Sequence, residues 1–407
     1  MTRIVLVAGT YQPNHCGVAH YTHHLRQALH QHQVESVVLT TCEAANKVQE
    51  PSVFGVVPDW TLRSLLPLVR AIHQTNANLL HMQHAAGTYQ FERAIFLLPL
   101  LLRLTGWRSP IVSTIHEYGW WEWQPQWCPA PVLESLKAWG QNQGWWDRED
   151  GFLLTQSDAI VTTNRNATQV IHARLPQLRD RLHEIPIGAN IGVASIDRAA
   201  AQRQVRQVCG WSEKAVIITF FGFLHPVKGL ETLLPAFQQV ATMHPQARLL
   251  LVGGVESLAL PDQQAKQYWQ KLTEAIAQLN LQNQVYRTGY VDDCTASQYL
   301  SGSDIGVLPF NHGVTLKSGS LLAMMAHGLP VIATRSHPPD PDLDEMLIPQ
   351  VAPRDVDELA MELNRLLKDS SLREQLGTAG TAFSQKFSWA AIASAHTRIY
   401  QTLFKSR

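Results

Sequence analysis

What most constrains this chain is an alternation that occurs twice: short β-branched or aliphatic runs separated by stretches of helical periodicity, in two successive series. Parallel α/β layers produce that pattern, because each strand is buried on both faces and each crossover takes a helix. The first series predicts strands at Ile4 to Ala8, Ser36 to Thr40, Val53 to Val57, Asn78 to Met82, Ile111 to Ile115 and Ala159 to Thr163. Between the first two, Val18, Tyr21, Leu25, Ala28 and Leu29 share one helix face. The second series predicts strands at Val216 to Phe221, Arg248 to Val252, Gln284 to Arg287, Asp304 to Leu308 and Val331 to Ala333. After Lys228, the residues Leu230, Leu233, Leu234, Phe237 and Val240 form a core-facing stripe.

At 407 residues the chain exceeds what one hydrophobic core usually organises, which suits two domains. The stretch from Pro186 to Trp211 has no sustained period, and its start marks the junction. The expected division is 1–186 and 187–387. A final amphipathic helix within 388–407, carrying Trp389, Ile392, Ile399 and Leu403, leans back on the first domain. The fold class is therefore α/β, with two doubly wound Rossmann-like domains. Such sheets bind ligands outside the carboxyl ends of their strands. Two halves facing across a cleft would place the site in that cleft.

Composition narrows the function. Lys plus Arg equals Asp plus Glu at 33 each, so no global field attracts nucleic acid or an anionic membrane. The five cysteines are scattered and form no C-x-x-C pair, as in a reduced, cytoplasmic protein. The apolar run at the start, Ile4 to Ala8, is too short for a signal peptide. The longest apolar run, Ala94 to Leu102, is too short to cross a bilayer. Lying near Arg93 and Arg103, it reads either as a membrane-facing helix giving peripheral contact or as a buried helix.

Two strand-to-helix loops carry the chemistry. Gly9 to Gly17 reads GTYQPNHCG; amides at the following helix start can meet an anion, and Gly17 lets a phosphate approach the backbone. It is not G-x-G-x-x-G, which argues against a nicotinamide oxidoreductase. Gly222 to Gly229 reads GFLHPVKG and sets Lys228 at a helix start, where helix dipole and ammonium would both attract an anion.

The run FFGFLHPVKGLETLLPAFQQVATMHPQARLLLVGG resembles the nucleotide-sugar segment of glycosyltransferase family 4, and SGSDIGVLPFNHGVTLKSGSLLAMMAHGLPVIATR is similar to that family's donor loop and the helix and strand after it. Ile115, His116 and Glu117 resemble its V-H-D turn, and CGVAHY resembles its first glycine-rich loop. The resemblance implies a GT-B fold and a metal-independent hexosyl transfer from a nucleotide diphosphate sugar with retention of configuration. It requires no cofactor and no D-x-D metal site. It places Gly17 and Gly222 near the donor phosphates, Lys228 at the leaving diphosphate and His116 at the donor sugar. In the donor loop, which also carries Thr315 into the donor site, the amides of Lys317, Ser318, Gly319 and Ser320 would hold sugar and phosphate at a helix start.

The family's first arginine falls on Phe223, and its two glutamates, eight positions apart, fall on Thr315 and Ala323. Lys317 is a candidate to replace the lost positive charge, and Glu117 and Glu345 are candidates for hydroxyl recognition. The missing pair also motivates a rival reading, a GT-B protein that binds sugar nucleotide or glycan without turnover.

Seven of the twelve tryptophans lie between Trp120 and Trp146, in a connection long for a compact α/β unit. Trp120 and Trp121 read either as a platform for a glycan, lipid or small-molecule acceptor or as part of a self-packed lid. His81 and His84, at a strand end, are candidate acceptor contacts or structural histidines. His20 and His24 have i, i+4 spacing but no H-E-x-x-H context, so no metal site is expected. Asp304 reads as a cap and not as a general base.

Overall fold

The structure is a computed structural model that describes residues 2–13, 16–48, 50–124, 128–255, 262–343 and 347–405. Glu345 lies outside the described residues. The chain forms two units, residues 1–187 with 389–407 and residues 188–388.

The first unit is built on a seven-stranded parallel sheet of β1 (Thr2–Ala8), β2 (Val34–Thr41), β3 (Val53–Val57), β4 (Leu79–His84), β5 (Ile111–Ile115), β6 (Ala159–Thr162) and β7 (Leu182–Glu184), in the order β3-β2-β1-β4-β5-β6-β7. Period-two alternation splits β1 between two cores: Val5 and Val7 enter one, and Ile4, Leu6 and Ala8 enter the other. The second core also holds Tyr21, Leu25 and Leu29 from the helix Gly17–Gln31, and Ile392, Ala393, Ile399 and Tyr400 from the C-terminal helix Trp389–Lys405. Trp389 packs edge-on to Tyr21 at 5.2 Å and stacks on His24 at 5.2 Å. The last helix is thus part of the first unit's core.

The second unit repeats the plan with β8 (Val216–Phe221), β9 (Ala247–Val252), β10 (Val285–Arg287), β11 (Ile305–Leu308), β12 (Val331–Thr334) and β13 (Gln350–Val351), all parallel, in the order β10-β9-β8-β11-β12-β13. Both sheets reverse direction of strand addition once, between β1 and β4 and between β8 and β11. Those reversals are where doubly wound sheets open a crevice beyond their carboxyl ends.

Two sequence expectations resolve here. The run from Ala94 to Leu102 forms a 3₁₀ turn, Ala94–Leu97, and a short helix, Leu98–Leu104, with Ile95, Phe96, Leu98 and Leu102 buried in the first unit's core. Those four side chains are spent on packing, as the buried-helix alternative expects. No helix among the described residues is long and apolar enough to cross a membrane. Asp304 sits at the amino-terminal end of the second sheet, accepting from Arg206 Nη2 and the Ile217 amide, both at 2.8 Å, and so ties β11 to β8 away from the strands' carboxyl ends.

If the C-terminal helix belongs to the first core, Ile392→Ala should cost about 2–5 kcal/mol. Hydrogen exchange should then accelerate in β1 and β4, with β8 and β11 unmoved; equal acceleration in both sheets would contradict this assignment.

Candidate functional site

In the second unit the site grows from the ends of β8 and β11. Beyond β8 the chain turns at Gly222 (φ 138°), where a Cβ would lie 3.0 Å from Ser320 Oγ, so this turn and the 315–320 loop are neighbours. Gly229 (φ 70°) is packed still closer, since a Cβ there would be 1.8 Å from the Pro309 carbonyl oxygen. Asn311 completes the junction: its amide donates to Val227 O at 2.9 Å and its side chain to Pro226 O at 2.9 Å. These contacts fix the short 3₁₀ turn Pro226–Lys228, capped by His225 Nδ1, which accepts from the Val227 amide at 3.2 Å.

On that turn the Lys228 ammonium lies 3.6 Å above the centre of the Phe310 ring. Among the described residues it has no carboxylate partner. Burial pushes its pKa down to about 8. Burial, and after it the same ammonium, holds His225 below its ordinary range. A half-buried cation at a sheet's switch point, with no counterion among the described residues, can take an anion.

The neighbouring loop is ordered from within. Ser318 caps the helix Gly319–Ala326, its Oγ accepting from the Leu321 amide at 3.2 Å. The Lys317 amide donates to Thr315 Oγ1 at 3.3 Å, the Ser318 amide to Thr315 O at 3.0 Å, and the Leu316 amide to Asp340 Oδ2 at 2.9 Å. Two of the four amides expected to face a ligand are therefore used inside the loop, which leaves Gly319 and Ser320 as first-turn donors. Lys317 is exposed on this loop, and Ala323 is fully buried beneath it. Phe310, Asn311 and Asp340 escaped the sequence reading, although a Pro-Phe-Asn run straight after a strand was a usable signal.

In the first unit His116 follows β5, its amide donating to His84 O at 2.9 Å and its Nε2 to Gln83 Oε1 at 3.0 Å. Tyr21 packs edge-on against the ring at 4.7 Å. Burial, then the His84 and His396 imidazoles, pushes His116 down to about 3, so the ring is neutral at ordinary pH. Glu117 is exposed beside it. Gly17 opens the first helix, and a Cβ there would meet nothing within 4 Å, whereas one on Gly9 would lie 2.5 Å from Thr88 O. Gly9 is a packing glycine and Gly17 is not.

The tryptophan segment divides. Trp139, Trp145 and Trp146 pack on one another edge-on, with centroids 4.8 to 6.2 Å apart. Trp121 turns inward against Phe96 at 5.3 Å and under the Arg93 guanidinium at 4.1 Å. Trp120 is 57% exposed and faces Phe91, also 57% exposed, edge-on at 6.4 Å. The turn carrying these rings is held by a carboxylate the sequence reading missed: buried Glu149 accepts from the amides of Gly119, Trp120 and Trp121 at 2.9, 3.2 and 3.1 Å and pairs with Arg174 at 2.9 Å. Asp147, which accepts from Tyr118 Oη at 2.7 Å, is pushed up to about 6 by burial and by Asp150.

His84 is not at a surface. It is 2% exposed, its Nε2 lies 3.3 Å from Asp150 Oδ1 and its ring stacks on Tyr89, and so it is placed as an internal packing residue and not as an acceptor contact. His81 is buried in the core, His24 lies on Trp389, and His20 contacts Gln12 at 3.3 Å.

Two family models match the chain: Glycosyltransferase Family 4 over residues 16–192 and Glycosyl transferases group 1 over residues 215–369. The phosphatidyl-myo-inositol mannosyltransferase of Mycobacterium leprae is 28% identical, over 55% of this chain and 54% of its own length. The chain spans about half the length of the first curated relatives it matches. Among solved structures, sucrose-phosphate synthase from Thermosynechococcus elongatus superposes with a TM-score of 0.67 at 20% identity, covering all of both chains. The Anabaena protein HepE in complex with UDP-glucose gives 0.66 at 17% identity, also over all of both chains. The chain therefore belongs to glycosyltransferase family 4 and has the GT-B fold.

Proposed function

We propose that this protein transfers a hexosyl group from a nucleotide diphosphate sugar to a glycan, lipid or small-molecule acceptor, with retention of configuration and without a metal ion. The observation that carries the reading is the half-buried Lys228 ammonium on Phe310, with no carboxylate beside it among the described residues. As the glycosidic bond breaks, negative charge grows on the diphosphate oxygen, and a fixed cation lowers the barrier there without reorganising. Gly222 gives the diphosphate backbone access, and the Gly319 and Ser320 amides with Lys317 serve the donor from the neighbouring loop. Neutral His116 serves the sugar, and Gly17 leaves room at its helix start for the donor phosphates. The exposed Phe91 and Trp120 rings offer an apolar face to the acceptor. The M. leprae relative's name supports hexosyl transfer, and the UDP-glucose in complex with HepE supports a nucleotide-sugar donor.

A second reading, binding without turnover, is favoured by Ala323, which sits buried where the family's second glutamate would reach the ribose. A panel of UDP-, GDP- and ADP-sugars separates the two. Thermal stabilisation with donor hydrolysis is expected, and stabilisation by a donor with no hydrolysis or transfer under any acceptor would establish the second reading.

Removing the cation by Lys228→Ala should lower turnover by about 10² to 10³, and unchanged turnover would sink its assigned role. Normal turnover in Lys317→Ala would likewise remove Lys317 from the donor site.

The pH dependence has a defined sign. The Lys228 pKa lies below its ordinary value, so the ammonium is present below about pH 8 and lost above it. Affinity for UDP or GDP should therefore weaken by about an order of magnitude between about pH 8 and about pH 9.5. Lys228→Met should flatten that profile, and a flat wild-type profile would count against the assignment.

A further inference from the structure

A line of polar side chains crosses the first unit's core from the C-terminal helix to His116. Tyr400, His81, Thr114 and Gln83 are all buried, Gln83 at 0% exposure, and His116 is the member that reaches the surface. The amide of Gln83 sets the direction of every proton along it. Its nitrogen lies 3.1 Å from His81 Nε2 and can only donate, so His81 Nε2 carries the lone pair. Thr114 Oγ1 lies 2.7 Å from that same nitrogen, so its hydroxyl and the Gln83 amide share the one lone pair. The His81 proton is then on Nδ1 and donates to the Tyr400 hydroxyl oxygen at 2.7 Å. At the other end the Gln83 oxygen lies 3.0 Å from His116 Nε2 and can only accept, so His116 carries its proton on Nε2.

Docking of the last helix does not account for this chain. Ile392, Ala393 and Ile399 already seat that helix in the core, and apolar groups of the same shape are generally as stabilising as a satisfied buried polar pair. A glutamine between two histidines, at the carboxyl end of a central parallel strand, costs desolvation that only a required orientation offsets.

We propose that Gln83 is a positioning residue that holds His116 in the Nε2–H tautomer, leaving the Nδ1 lone pair to accept a hydrogen bond from a hydroxyl of the donor sugar. The inference rests on the role given to His116 in the proposed function. The chain's polarity makes Tyr400, 319 positions from His81 in sequence, the far anchor of that tautomer.

The test is long-range proton–nitrogen NMR of the full chain labelled with ¹⁵N-histidine, with the His116 signals identified by their loss in His116→Asn. Wild type is expected to show His116 Nδ1 as an unprotonated acceptor. In Gln83→Leu the two tautomers should mix, and turnover should fall about ten- to a hundredfold, mainly in kcat. Gln83→Glu keeps an oxygen against Nε2 and should restore the tautomer and most of the turnover. Should Gln83→Leu fail to fold, Gln83→Met reads the same point. A wild-type His116 protonated on Nδ1, or a tautomer unmoved by loss of the amide, would overturn the proposal. A protein that neither hydrolyses a nucleotide sugar nor transfers from one would contradict the proposed function, while the wild-type and variant tautomers would still decide this one.

Discussion

An ammonium held on an aromatic face, half out of water and with no carboxylate partner among the described residues, is unfavourable unless an anion shares the site, and the donor role proposed for the second unit rests on that imbalance. Lys228 is placed by a turn that only glycine at 229 can close, because the Pro309 carbonyl occupies the space a side chain would need. Asn311 ties the same turn to the end of β11. Two strands that meet at the sheet's reversal thus hold one cation rigidly. Rigid placement is what electrostatic stabilisation of a leaving group requires, since the charge must already be where electron density will arrive.

The first unit solves a different problem with the same fold. Its crevice end carries a neutral imidazole, kept neutral by burial and by two other imidazoles. The nearby aromatic turn is kept in shape by one buried carboxylate that collects three consecutive amides. The C-terminal helix supplies both apolar residues to one of the first unit's two cores and the hydroxyl that ends the polar line through His81. Stability and site geometry are therefore coupled through Tyr400 and its helix in this unit.

Much of the architecture was legible because buried parallel strands are nearly continuous apolar runs, and β1, β8, β9, β11 and β12 all read that way. The edge strands β7 and β13 were not, because Leu-His-Glu and Gln-Val carry no such signal. The helix Arg198–Val208, capped by Asp197, hid in a stretch whose few apolar residues gave no visible period. At the site, motif spacing led to Lys228, His116 and the 315–320 loop. It could not reveal Phe310 beneath the ammonium, Glu149 behind Trp120, or Gln83 and Tyr400 behind His116, because those contacts join residues distant in sequence through side-chain direction alone. The histidine at 84 shows the converse. A strand-end position suggested a ligand contact, but its ring turns inward to Asp150.

The most direct measurement of the central claim compares titration calorimetry of UDP with that of UMP, and of GDP with GMP, on wild type and on Lys228→Met at about pH 7. If the ammonium waits for a second phosphate, wild type should prefer each diphosphate over its monophosphate by at least about tenfold, and the variant should lose most of that preference while its monophosphate affinity is little changed. Equal preference in both proteins would show that the diphosphate is bound elsewhere, and the role assigned to this cation would be wrong.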